Sequence, residues 1–271
     1  MGNFLKIEIE IFSDEEAEIL IADLSDIQFY AFEQEENLLI AYIKEEDVDE
    51  EKLKEILVND KHFKKTIIKN ENWNQQWESE LKPVVINDFV AIRAFFHEPV
   101  KNVKHELLIT PKMSFGTGHH ATTFLMIEQS QNIDFRDKTV IDFGTGTGVL
   151  AILAEKLGAF KVLAIDYDEW SINNALENIR ANDCKNISVE KRDDLSGLSQ
   201  VDIMLANINR NVLTEKAESI IFLLKKGSFL LTSGFLAKDE AAIENLFAAK
   251  QFIKKCVMKR DDWLSVLFQK L

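Results

Sequence analysis

Two cysteines in 271 residues, Cys184 and Cys256, with no paired spacing, leave neither a disulfide framework nor a thiolate zinc site to hold this chain together. The first ten residues alternate apolar and charged side chains and lack the apolar segment of a secretory leader. No apolar run approaches the roughly 20 residues needed to span a bilayer, so no membrane partner is expected and the chain reads as cytoplasmic. There is no internal repeat and no low-complexity segment. Positive charge is also scarce: 32 Lys and Arg stand against 46 Asp and Glu, a formal net charge of −14. Such a surface disfavours direct contact with a nucleic-acid backbone and favours a basic partner. What remains is the stock of an ordinary soluble domain, 46% hydrophobic and 29% charged. The length allows a full α/β domain and a smaller companion.

The first 70 residues alternate strand-like and helix-like patterns. Residues 3–12 alternate with period two, as a half-buried strand does. Ser13-Asp14-Glu15-Glu16 is a capping-box pattern that opens a helix to about Leu24. Strand-like runs at 28–33 and 38–43 follow, then an amphipathic helix over 49–58 and a last strand at 66–69. The order βαββαβ is the ferredoxin-like plan, and it carries no catalytic constellation. Residues 71–83 are polar and helix-like, with Trp73 and Trp77 on one face, and Pro83 stops the helix. They read as a linker between a domain at 1–70 and a second domain at 84–271.

In that second domain, strands are expected at 84–86 and 89–93, and strictly alternating units begin at residue 139. Strands at 139–143, 161–166, 187–191, 201–206 and 228–233 are joined by helices at 148–157, 169–182 and 211–224. A helix at 238–250 and strands at 252–259 and 263–270 close the chain. Alternating βα units argue for a parallel sheet with helices on both faces. The last two strands are separated by only three residues, so they form an antiparallel hairpin.

Residues 142–148 read Asp-Phe-Gly-Thr-Gly-Thr-Gly between the first of these strands and its helix. A strand that empties into such a turn can bring backbone N–H groups and a helix N-terminus close to a nucleotide-like cofactor. The third glycine comes one residue too early for the dinucleotide pattern. Asp142 places a carboxylate at the strand end, which a pyrophosphate would find repulsive and the amino and sulfonium groups of S-adenosylmethionine attractive. Gly144 and Gly146 are the expected close-approach positions. Asp166 ends the second strand, where an acid can accept hydrogen bonds from both ribose hydroxyls. Asp193 and Asp194 follow the third strand, where this fold usually offers a polar group to the adenine. Asn207 ends the fourth strand at the methyl-donor edge, and its carbonyl can accept from an amine nucleophile or from the cofactor.

Residues 114–123 read Ser-Phe-Gly-Thr-Gly-His-His-Ala-Thr-Thr, a donor-rich loop leading into the helix-like residues 124–130. Thr122 or Thr123 is the expected helix cap. The two histidines lack a third ligand, so no metal site is expected. Phe-Gly-Thr-Gly-x-His-x-Thr-Thr at 115–123 resembles the signature loop of the ribosomal protein L11 methyltransferases. The resemblance extends to the glycine turn at 142–148, to Asn-Trp-x-x-x-Trp at 72–77 with Pro83 behind it, and to the βαββαβ domain. It therefore covers nearly the whole chain, with Ser114 standing where that family often has Ala.

The resemblance implies a seven-stranded Rossmann-like methyltransferase domain preceded by the small α+β domain and the linker helix. It places cofactor contacts at Thr123, Gly144, Asp166 and Asn207, with Phe115, Gly116, Thr117 and His120 in a loop that closes over the same cofactor. It further implies methyl transfer from S-adenosylmethionine to lysine side chains and the N-terminal amine of ribosomal protein L11, a basic partner recognised through residues 1–70. Asn207 is the one residue expected to orient the amine. A methyltransferase for another protein or a small molecule, or a non-catalytic assembly factor, are the competing readings.

Overall fold

A computed structural model describes residues 3–35, 37–57, 62–68, 82–110, 112 and 114–271. The chain separates into two compact units, Met1–Leu81 and Lys82–Leu271. The linker helix expected over 71–83, with Trp73 and Trp77, falls almost wholly outside the described residues.

The first unit contains β1 (Phe4–Glu10), α1 (Asp14–Asp26), β2 (Ala31–Glu35), β3 (Leu38–Lys44), α2 (Glu50–Leu57) and β4 (Phe63–Ile68). The sheet order is β2-β3-β1-β4, antiparallel throughout. Alternation in β1 turns Leu5, Ile7 and Ile9 inward, where they pack with Leu20 and Leu24 of α1 and Leu53 of α2. Ser13 caps α1 by accepting the Glu16 N–H at 3.2 Å, and the Glu16 carboxylate accepts from Phe12 N–H at 2.8 Å. The strand expected at 28–33 starts later. Gln28 takes the left-handed conformation, φ 73°, and Phe29 N–H still bonds back to Leu24, so these residues terminate the helix.

The second unit carries a seven-stranded sheet. Its strands are β8 (Thr139–Phe143), β9 (Lys161–Asp166), β10 (Ile187–Lys191), β11 (Val201–Asn207), β12 (Leu224–Leu236), β13 (Phe252–Arg260) and β14 (Trp263–Lys270). They lie in the order β10-β9-β8-β11-β12-β14-β13, and only β14 runs antiparallel to its neighbours. β8 is buried along nearly its whole length, as a central parallel strand covered on both faces must be. The helices are α3 (Ala121–Ser130), α4 (Val149–Lys156), α5 (Glu169–Ala181), α6 (Arg210–Leu223) and α7 (Glu240–Ala248). β12 extends well beyond the expected 228–233, because α6 passes directly into extended chain at Leu224 and the strand continues through a bulge between Ser233 and Phe235. The order of successive strands reverses between the parallel neighbours β8 and β11. That switch point opens a crevice at the C-terminal strand ends.

A second, three-stranded sheet comprises β5 (Val84–Ile86), β6 (Val90–Arg93) and β7 (His105–Leu108). β7 was not foreseen in the sequence. One edge of it pairs with β6. The other edge meets side-chain amides of α5 instead of a strand. Asn182 accepts from Leu108 N–H at 3.0 Å and donates to the Leu108 carbonyl at 2.7 Å. Asn178 accepts from Thr110 N–H at 2.9 Å and donates to the Thr147 carbonyl at 2.8 Å. Asn174 donates to the Thr110 carbonyl at 3.4 Å. Spacing of four residues puts these amides on one helix face, so they stand in for a strand's ladder. Among the described residues, no helix is long and apolar enough to cross a membrane.

Asn178 is fully buried. Asn178→Ala would orphan the Thr110 N–H and the Thr147 carbonyl together, and should destabilise the chain by about 2–3 kcal/mol in urea unfolding. A change below about 0.5 kcal/mol would show that the amide ladder is dispensable.

Candidate active site

The crevice holds a cavity of about 570 Å³. Its floor is the glycine turn after β8. Gly144 and Thr145 both donate to the Ile165 carbonyl at 2.9 Å, which ties the turn to the end of β9. Gly146 N–H donates to Asp166 Oδ2 at 2.9 Å, and Asp168 N–H donates to Oδ1 at 3.1 Å. Both carboxylate oxygens are thus fixed in place, and each keeps a lone pair for a further donor.

The signature loop is stitched to that floor. Thr147 N–H donates to the Phe115 carbonyl at 2.9 Å, and Thr147 Oγ1 donates to the Gly116 carbonyl at 2.8 Å. A Cβ on Gly146 would collide with the Phe115 carbonyl, and the residue sits at φ +55°, so glycine is required there on both counts. At Gly144 a Cβ would stand 2.5 Å from Ile208 Cγ2. The Asn-Ile-Asn segment after β11 therefore presses directly on the turn.

The residues singled out from the sequence divide into those on the cavity wall and those behind it. Phe115, Gly144, Gly146, Asp166, Asp193 and Asn207 line the cavity. Asp193 is separated from its neighbour Asp194, which bonds to Ser196 N–H at 2.8 Å and Oγ at 2.6 Å and so belongs to a turn. Thr123 lies behind the wall, fully buried, and its Oγ1 accepts from Asn207 Nδ2 at 3.3 Å. That bond orients the Asn207 amide, whose buried Oδ1 has no partner. Gly116, Thr117 and His120 also lie off the wall. Thr117 Oγ1 is 3.2 Å from His119 Nδ1, within the loop itself.

His120, rather than Thr122 or Thr123, caps α3. Its Nδ1 accepts from Thr122 N–H at 3.3 Å, and the helix begins at Ala121. The imidazole takes the capping role expected of a hydroxyl and leaves Thr123 free to face Asn207.

Asp142 differs from expectation. It does not reach the cavity but sits 1% exposed beneath the turn, where Oδ2 accepts from Thr145 Oγ1 at 2.6 Å and Ala151 N–H at 3.2 Å. Oδ1 is buried without a partner. Burial pushes the Asp142 carboxyl up to about 7, against the lowering effect of the Thr145 and Ala151 hydrogen bonds and with a further push from the charge of Asp166. It acts on the site from below, by holding the turn and the first turn of α4.

Several wall residues were not foreseen: Phe143, Tyr167, Ser171, Ile208 and Lys216. Tyr167 directly follows the strand-end acid, which is the one signal that pointed to it.

A glycine turn at the switch point, an acid at the end of the adjacent strand and the inserted antiparallel β14 together define the S-adenosylmethionine-dependent methyltransferases of Rossmann-like fold. The site fits that cofactor in kind: carboxylate acceptors at Asp166 and Asp193 for hydroxyl and amino donors, and a floor on which backbone can be approached closely. Within that class, the chain belongs to the ribosomal protein L11 methyltransferase (PrmA) family, whose model matches residues 5–271. The ribosomal protein L11 methyltransferase of Chlorobaculum parvum is 38% identical across 98% of this chain and 96% of its own length. That of Porphyromonas gingivalis is 36% identical across 93% and 90%. The crystal structure of ribosomal protein L11 methylase from Lactobacillus delbrueckii subsp. bulgaricus superposes with a TM-score of 0.65 at 27% identity, over 70% of this chain and 100% of that one. The resemblance read from residues 115–123 is borne out.

Because the folded protein raises the Asp142 pKa from 3.8 to about 7, the native state keeps a proton that the unfolded chain releases. Its contribution to stability is complete below about pH 4 and declines as pH rises towards 7. Asp142→Asn should flatten this decline in denaturation curves taken between pH 4 and 8. An unchanged pH dependence would show that Asp142 is ionised in the native protein.

Proposed function

We propose that the chain methylates amines of ribosomal protein L11, at lysine side chains and the N-terminal amine, and does so in the cytoplasm. When bound, S-adenosylmethionine supplies an electrophilic methyl group on a sulfonium. The residues around it bind, orient and exclude water. Asp166 would accept from the ribose hydroxyls through the lone pairs left by Gly146 and Asp168 N–H. Asp193 would offer an acceptor to the adenine, and the Phe115–Gly116 segment covers the turn.

The observation that carries the acceptor assignment is the buried Asn207 Oδ1. Asn207 lines the same cavity as Asp166, its amide is oriented by Thr123, and its Oδ1, covered in the free protein, lacks a donor. An amine N–H supplies that donor and leaves the nitrogen lone pair directed elsewhere. A lysine of pKa ≈ 10.4 is neutral only about once in 2,500 molecules at pH 7, equivalent to roughly 4.6 kcal/mol. Desolvation against Phe115, Phe143 and Ile208 favours the neutral form. Positioning and desolvation supply the catalysis, with Asn207 as the orienting group.

The net charge of −14 suits a basic protein substrate. The Met1–Leu81 unit has its own core and is read as the recognition domain for that substrate.

With S-adenosylmethionine and purified ribosomal protein L11, intact-mass analysis should show whole methyl increments on the substrate. No increment would refute the substrate assignment, and transfer to other proteins alone would point to a different acceptor. Removing residues 1–70 should abolish this transfer and leave cofactor binding intact by calorimetry. Transfer that survived the deletion would remove the recognition role. Asp166→Ala should weaken cofactor binding by about 1.5–3 kcal/mol in the same calorimetric titration. Unchanged affinity would mean that the ribose is held elsewhere.

A further inference from the structure

Three aromatic rings run from the cavity wall to the start of the last strand. Phe115 lines the cavity with 51% of its surface exposed. Its ring meets that of His120 edge-on, with centroids 5.1 Å apart, and His120 meets Trp263 edge-on at 4.8 Å. Edge-to-face rings at this separation hold one another in place. They come from two distant parts of the sequence: Phe115 and His120 from the signature loop, whose end caps α3, and Trp263 from the start of β14.

Topology places this strip beside Asn207. Asn207 pairs with Ser233 of β12, and Trp263 pairs with Leu236 three residues further along the same strand. Trp263 thus stands just beyond the C-terminal edge of the sheet on which Asn207 sits. The strip also reaches Asn207 through α3, because His120 caps the helix whose Thr123 accepts the Asn207 amide.

The turn beside the strip carries carboxylates as well as cations. Asp261 and Asp262 form the exposed turn that leads into Trp263. Two cations precede that turn on β13: Lys259 is exposed, and Arg260, opposite Trp263, lies over the ring of Phe124, 3.6 Å from its centroid. An aromatic surface flanked by carboxylates attracts a cation. Among cations it favours alkylammonium groups, which are weakly hydrated and lose less on leaving water.

We propose that the Phe115–His120–Trp263 strip is the binding surface for the acceptor's ammonium group and its methylated forms. The inference rests on the reading above that the acceptor is an amine. It assigns Phe115 and His120 to the acceptor side of the site as well as to the loop over the cofactor, and it adds Trp263. Each methyl group makes the ammonium larger and less hydrated, so the strip holds partly methylated product more firmly than unmodified lysine. Retention of that kind favours several transfers per encounter.

The test uses the full chain, with tetramethylammonium chloride as the probe and sodium chloride at equal ionic strength as the control. Tetramethylammonium should inhibit competitively against ribosomal protein L11 and not against S-adenosylmethionine. Trp263→Ala should raise both the inhibition constant of the probe and the KM for the acceptor about tenfold, and Trp263→Phe should keep both within about threefold of wild type. Cofactor Kd should stay within about twofold in each variant. Should Trp263→Ala fail to fold, Trp263→Leu replaces it, keeping apolar volume but removing the ring. The inference is overturned if sodium chloride inhibits equally, if ring removal leaves KM and the inhibition constant unchanged, or if cofactor Kd rises as much as KM. If the wild type transfers no methyl to ribosomal protein L11, the proposed substrate is wrong. Calorimetric titration of tetramethylammonium then decides the strip alone: binding that ring removal abolishes upholds it, and no binding by the wild type overturns it.

Discussion

The carbonyl of Phe115 occupies the space that a Cβ on Gly146 would need, and the site is built outward from that contact. Because the two backbones touch, Thr147 can bond to Phe115 and Gly116 with both its N–H and its hydroxyl. The same turn leaves Gly146 N–H aimed at Asp166. One close approach therefore fixes the signature loop, the floor of the cavity and the acid on its wall. Packing at this density leaves no slack to be taken up elsewhere.

Side-chain amides do much of the remaining work. Asn178 joins the segment before the signature loop to the glycine turn, and Asn207 joins the end of β11 to the first turn of α3. An amide carries both a donor and an acceptor without charge, so it can bridge buried backbone groups without the desolvation cost of an ion. Asp142 shows the contrast. It is a buried acid with one oxygen unpaired, and its carboxyl titrates near neutrality as a result. Holding the turn by a carboxylate makes the stability of this region depend on pH in a way that the amides avoid.

The central sheet was legible because its strands are buried apolar runs, or at its edges alternating ones, bounded by turn residues. β8, β9, β10 and β14 have the expected bounds. Period and composition carry that information locally. β7 was not legible. His-Glu-Leu-Leu has no alternation, and on its other edge the end of the strand, Leu108, is held by Asn182 from far along the chain. The cavity followed the same division. Asp166, Asp193, Asn207 and the glycines stand at strand ends, which the sequence marks, and they line the wall. Whether a strand-end acid faces the cavity or the core depends on side-chain direction, and Asp142 turned inward. The contact of Trp263 with His120 was invisible in the sequence because the inserted antiparallel strand alone brings the two rings together.

The asparagine ladder on α5 has a further consequence for β7. An open strand edge of a small sheet is a template on which other chains can add. Here the helix presents amides in the positions where an added strand would bond, and the backbone of Leu108 and Thr110 is already satisfied. A helix face thus serves as the end-stop of a sheet. It closes the edge to self-association at the segment that carries the chain into its signature loop.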